Sequence, residues 1–196
     1  MKENRKTSIS KMTLSSVFIA LATGLSMIKV INMPLGGSVT LMSMVPIVFI
    51  SCALGVKWGI GAAFVYSIIQ LGLGIAVDGL FAWGLTPACL IGTVLLDYIV
   101  PFTLLGISGI FAKKGVLYIT LGTALTVFLR FLCHFASGYI IFANFEKFVV
   151  LGSSFVGRPA LYSICYNGLY MLPELVITVA VTAVIFKFSS ITKFIR

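Results

Sequence analysis

The sequence predicts an all-α, polytopic integral membrane protein, with six transmembrane helices in a single membrane domain, residues 1–196, and both termini on the cytoplasmic side. Three observations predict it. The 196 residues are 60% hydrophobic and 10% charged, with a mean hydropathy of +1.14, which is more apolar surface than one soluble core can hide. The apolar residues fall into runs close to the roughly 20 that a helical crossing needs, broken where charges, Gly and Pro permit. Lys and Arg gather at one set of run ends, as they do on the cytoplasmic side of a membrane.

The first run, residues 11–31, starts at Lys11, and the segment NMPLGGSVT carries the chain back. It resembles a signal peptide in its basic start, but it is too long and lacks an A-x-A site, so it is expected to stay in the mature protein. The second run spans 40–54. The third, 57–76, has Lys57 at its mouth and is closed by a loop around Asp78. The fourth, 88–111, contains Asp97, and the fifth, 116–142, carries Arg130 and His134. The sixth, 159–187, opens on Pro159, whose missing donor costs nothing in a first helical turn.

With both termini inside, Lys2, Arg5, Lys6, Lys11, Lys57, Lys113, Lys114, Lys187, Lys193 and Arg196 lie on the cytoplasmic side, against Lys29, Lys147 and Arg158 outside. The net charge of +9 is therefore read as topology and contact with the anionic lipid bilayer. No basic patch interleaved with aromatics is present, so nucleic-acid binding is not expected. Cys52, Cys89, Cys133 and Cys165 all fall inside runs without C-x-x-C spacing, which points to packing and to neither disulfides nor metal.

Ionisable groups are costly in hydrocarbon, so Asp97, Arg130, His134 and Glu174 single themselves out. At about 1.5 Å per residue, Asp97 lies about 14 Å from the outer end of its run, and His134 and Asn167 each about 12 Å from theirs. Three polar residues from three helices at one depth predict a pocket open to the outside. Arg130 and Glu174 are deeper, near the midplane, and are expected to form a structural ion pair, the alternative being a role in proton movement. Residues four apart share a helix face, which groups Arg130, His134, Gly138 and Phe142 on the fifth run and Ser163, Asn167, Tyr170 and Glu174 on the sixth. Interhelical hydrogen bonding is the competing explanation for such polar stripes.

Catalysis finds no support. The single His has no nucleophile motif such as G-x-S-x-G around it and no second His with which to hold a metal. The acids are too few for two-metal chemistry. No G-x-x-x-x-G-K-[ST] is present, so ATP hydrolysis is expected on partner subunits. Neither a catalytic site nor a cofactor is expected, and a chain this short without visible inverted repeats fits poorly with a self-sufficient transporter.

The segments GGSVTLMSMVPI, LLDYIVPFTLLGISGIF, LRFLCHFASGYIIF and YSICYNGLYMLPELVI occur in that order over nearly the whole chain. In this order and spacing the sequence resembles the thiamine-specific substrate-binding (S) components of energy-coupling factor (ECF) transporters of the bacterial cell membrane. The resemblance implies a six-helix bundle with thiamine bound near the outer surface by Asp97, Tyr98, His134, Tyr162 and Asn167. It also implies a gating loop at Gly36, Gly37 and Ser38, and Asp97 and Phe142 stand where some members carry Glu and Trp.

Thiamine's chemistry suits these residues. Asp97 can oppose the thiazolium cation or accept from the pyrimidine amine, and Asn167 presents a donor and an acceptor to the aminopyrimidine edge. Tyr98, Phe142 and Tyr162 offer flat faces, and His134 a partner for the hydroxyl. Ser16, Ala20 and Gly24 form a small-residue stripe on the first run, which serves either packing within the bundle or close approach of a partner helix. The resemblance implies docking there on the ECF module, made of a transmembrane T component and two ATPase subunits. An S component for riboflavin or a pyridoxine-like compound, a membrane enzyme and a structural subunit remain the alternatives.

Overall fold

Among the described residues, five helices are long and apolar enough to cross a membrane, and a sixth is short. The computed structural model describes residues 2–33, 36–142, 149–150, 153–155 and 157–188. Lys147, Lys193 and Arg196, and the side chains of Lys2, Arg5 and Lys6, all counted in the orientation argument, lie outside the described residues.

Helix α1 spans Lys2–Met27 and leads into an antiparallel ribbon of β1 (Lys29–Asn32) and β2 (Ser38–Thr40). Then come α2 (Val45–Leu54), α3 (Val56–Ala76), a single 3-10 turn (Leu80–Ala82) and α4 (Pro87–Lys114). Helix α5 covers Val116–Ile140, a second small ribbon pairs β3 (Val149–Val150) with β4 (Ser153–Ser154), and α6 covers Pro159–Phe188. Gly55 at φ 95° separates α2 from α3 and Gly115 at φ 109° separates α4 from α5, in backbone conformations that a Cβ disfavours.

Two expected runs are helical over only part of their length. The run 11–31 stops being helical at Met27, and its β-branched end Val30-Ile31 lies in β1, where Ile31 pairs with Val39. The run 40–54 yields only the ten-residue α2, because Thr40 ends β2 and Met42 turns the chain at φ 58°. At about 1.5 Å per residue, α2 is about 15 Å long, half the roughly 30 Å of hydrocarbon. It is a core helix, with Val45, Ile47, Val48 and Ile50 buried.

The remaining helices surround α2 and carry their large apolar side chains outward. Ile91, Leu117, Leu172 and Val176 are between 63% and 67% exposed, a surface suited to lipid. Inside, Met44, the residue before α2, and Ile47 and Ile50 of α2 join Ala63 and Tyr66 of α3, Phe102 and Leu105 of α4, Val127 of α5 and Met171 of α6 in one cluster.

Small residues set how closely these helices approach. A Cβ on Gly59 of α3 would lie 2.5 Å from the Gly106 carbonyl oxygen of α4, and one on Gly106 would lie 2.5 Å from the Ile60 Cα. Ser51 of α2 fastens the same crossing, donating to the Gly106 carbonyl at 2.5 Å and accepting from the Gly109 amide at 2.9 Å. We expect Gly106→Leu to cost roughly 2–3 kcal/mol or to prevent folding. A side chain at Gly61 enters open space, so Gly61→Leu is expected to leave the thermal unfolding midpoint of the purified protein unchanged.

Candidate functional site

Asp97 and Tyr98 lie where α4 loosens from α-helix into a π turn, Val94–Ile99. Pro101 gives the reason. Its ring nitrogen carries no proton, so the Asp97 carbonyl four residues earlier cannot receive the usual α-helical bond, and the Val100 amide reaches five residues back to the Leu95 carbonyl. The wider turn sets the register of Asp97 toward α5, while Tyr98 packs against Gly74 of α3, where a Cβ would collide with its ring. Thr86 caps the start of α4 and Pro87 occupies its first turn.

The carboxylate meets α5 at two side chains three residues apart. Ser137 donates its hydroxyl to one Asp97 oxygen, and His134 Nδ1 lies 2.9 Å from the other. Arg130 Nε donates to His134 Nε2 at 3.2 Å, with the guanidinium 4.0 Å from the centroid of the Phe102 ring. A guanidinium cannot accept, so Nε2 must, and the ring proton sits on Nδ1 and is donated to Asp97. The chain of donors Arg130, His134 and Ser137 therefore ends on one carboxylate.

Helix α6 braces this chain. Asn167 donates to the His134 carbonyl at 3.1 Å and to the Ser163 carbonyl at 2.9 Å, and its own carbonyl oxygen accepts from the Tyr170 hydroxyl at 2.8 Å. Ser163 donates to the Phe135 carbonyl at 2.8 Å. Gly138 makes the approach possible, because a Cβ there would collide with Ser163. The space beside Gly138 is thus taken largely by α6. Asp97, His134 and Asn167, expected at one depth, are brought into one hydrogen-bonded unit.

A cavity of about 380 Å³ opens beside this unit. Its lining includes Asp97, Tyr98, His134, Gly138, Phe142, Tyr162 and Asn167, and also Gly36, Gly37 and Ser38 of the β1–β2 ribbon. The ribbon lies against the aromatic wall. A Cβ on Gly37 would sit 2.8 Å from the Tyr166 hydroxyl, and one on Gly36, at φ 88°, 3.1 Å from the Trp83 ring. Trp83 donates to the Asp78 carbonyl at 2.9 Å and packs edge-on to Phe142, with ring centroids 6.2 Å apart.

Residues 12–194 match the family model described as Thiamine transporter protein (Thia_YuaJ). The chain belongs to the thiamine transporter protein family. It is 34% identical to the Thiamine transporter ThiT of Bacillus subtilis (strain 168) over 191 residues, covering 91% of this chain and 88% of that one. A solved structure of ThiT from Listeria monocytogenes superposes with a TM-score of 0.68 over 93% of this chain and 96% of its own, at 18% identity, which speaks to the fold. The family is one of transporters and not of enzymes, so the membrane-enzyme alternative is set aside.

In this member of the thiamine transporter family, the expected Arg130–Glu174 ion pair does not form. Among the described residues Arg130 pairs with His134 and Phe102, while Glu174 accepts from the Thr40 amide at 2.5 Å and the Thr40 hydroxyl at 2.6 Å. Both line the cavity. Residue counting gives depth along a helix and says nothing of the direction a side chain takes around it.

Sequence reasoning missed Trp83, Tyr166, Lys29, Asp78 and Gln70 as lining residues. Tyr166 follows Tyr162 by one helical turn, their rings stacked at 5.6 Å, so the face shared by Tyr162 and Tyr170 pointed to it. Trp83 lies in a loop, where no periodicity exists to read. Ser16, Ala20 and Gly24 are exposed on α1, on a face away from the buried Ser15, Ala22 and Ser26, so packing within the bundle does not explain the stripe.

Asn167→Leu strips partners from Tyr170 and from the His134 carbonyl at once, and is expected to destabilise the folded protein by about 2–3 kcal/mol. Tyr170→Phe removes one donor and is expected to cost about 1 kcal/mol. Denaturation of the purified protein in detergent ranks the two.

Proposed function

We propose that this chain is the S component of an ECF-type importer, taking thiamine from the outside into the cavity and passing it through an ATP-driven module of a T component and two ATPases. The observation that carries the reading is a carboxylate, Asp97, oriented by His134 and Ser137 in an aromatic-walled cavity of about 380 Å³. Such a cavity favours a flat cation of vitamin size, because low dielectric strengthens the attraction between Asp97 and a thiazolium.

Both Asp97 oxygens already accept one internal bond, which leaves the carboxylate's charge, and one further lone pair on each oxygen, for the ligand. Tyr98, Phe142 and Tyr162 serve as stacking faces. Asn167 is committed to the wall on both amide atoms, so its part in ligand recognition runs chiefly through the position of His134. Gly36, Gly37 and Ser38 act as a lid. The cavity rim at Lys29 and Asp78 lies at the end of α1 and α3 opposite Lys11 and Lys57, in keeping with an outward opening and cytoplasmic termini. The relative named Thiamine transporter ThiT supports thiamine over riboflavin or a pyridoxine-like compound.

Calorimetry on the purified chain tests this reading. Thiamine is expected to bind and the other vitamins to fail, with Asp97→Asn and His134→Ala each weakening binding by roughly tenfold or more, about 1.4 kcal/mol per decade. Unchanged affinity in both variants would remove Asp97 and His134 from the site. For docking, Ala20→Trp is expected to keep thiamine binding while losing co-purification with the ATPase module, and retained association would refute a docking role for the stripe.

A further inference from the structure

One rung of the β1–β2 ribbon is fastened on both sides. Lys29 and Thr40 are register partners at its base, followed on β1 by an irregularity between Lys29 and Ile31. Lys29 forms an ion pair with Asp78, in the loop after α3, and both side chains are about one-fifth exposed. Thr40 gives its amide and its hydroxyl to the same oxygen of Glu174 in α6. Its single hydroxyl proton is used there, so at 2.6 Å from Ser43 it accepts.

Thr40, Ser43 and Glu174 are 8%, 4% and 3% exposed. The other Glu174 oxygen is buried without a partner. A carboxylate in the membrane with half its capacity unused is not an efficient structural pair. Both of its bonds go to a residue two positions beyond Ser38, the last of the three lid residues.

We propose that Glu174 is a positioning residue for ligand capture: with Asp78 it pins the Lys29–Thr40 rung as the fixed hinge of the lid, so that Gly36, Gly37 and Ser38 close over the cavity from a constant base. The bulge beside the rung is where the strand bends. Glu174 supplies the inner, buried pin and Asp78 the outer one, about one-fifth exposed. This inference rests on the reading of residues 36–38 as a lid over a thiamine site.

The test uses the purified full-length chain. Ser38→Cys is labelled with a maleimide, with and without thiamine, against a parent lacking that change, and thiamine dissociation is followed by stopped-flow fluorescence of Trp83 in a Trp58→Phe background. Thr40→Val and Glu174→Gln are each expected to speed labelling and dissociation by roughly tenfold or more, the range of a hydrogen bond to a charged group. Because both changes act on the Thr40–Glu174 contact, Thr40→Val on its hydroxyl bond and Glu174→Gln on its charge, the effect of the double variant is expected to fall short of the sum of the two. Lys29→Ala is expected to act in the same direction, more weakly, since its pair is partly exposed.

If Thr40→Val and Glu174→Gln label and release at the parent's rates, or if their effects add in full, the hinge assignment is wrong. Should Glu174→Gln fail to fold, Thr40→Val with Lys29→Ala carries the test, and parental rates in both overturn the proposal. A parent that binds no thiamine overturns the ligand reading instead, and the labelling rates without ligand then judge the hinge alone.

Discussion

Asp97 lies in a membrane-spanning helix, where a carboxylate without donors is costly, and the bundle around it is arranged to supply them. Its two oxygens draw His134 and Ser137 from α5. His134 in turn fixes Arg130 on one ring nitrogen and, through its carbonyl, Asn167 of α6. The π turn forced by Pro101 sets the register in which Asp97 meets them. The cavity is the space left beside this unit, so its shape follows from satisfying one charge.

The same accounting separates two kinds of buried acid. Asp97 has donors on both oxygens and can present its charge without rearrangement, which suits it to meeting a cationic ligand. Glu174 spends one oxygen on Thr40 and leaves the other empty, although it lies deeper and is more enclosed. A residue that exists only to hold helices together has better solutions available, including an apolar side chain of similar volume.

Depth and face were legible in the sequence, and direction was not. Counting residues placed Asp97, His134 and Asn167 at one level, and they are bonded to one another. The same counting placed Arg130 opposite Glu174, and they have different partners, because a shared level does not fix rotation about the helix axis. Hydropathy found the long helices but ran the second one from 40 to 54, since Leu41, Met42 and Met44 lead without a charge into the buried α2. Trp83, Lys29 and Asp78 reach the cavity from loops and ribbon ends, where only tertiary structure brings them together.

The shortness of α2 has a consequence for how a membrane seals. A full helix in its place would carry every peptide hydrogen bond along its own axis, and breaking it to admit a solute would strand amides in a medium with no water to receive them. Here the chain ahead of α2 is a ribbon in which amides bond across from strand to strand, Met33 to the Gly37 carbonyl and Leu41 to the Ile28 carbonyl. Such a ribbon can shift as a unit against the tyrosines beneath it with these cross-strand bonds kept. A shift of that kind costs contacts at the tyrosines and need not unfold the ribbon itself.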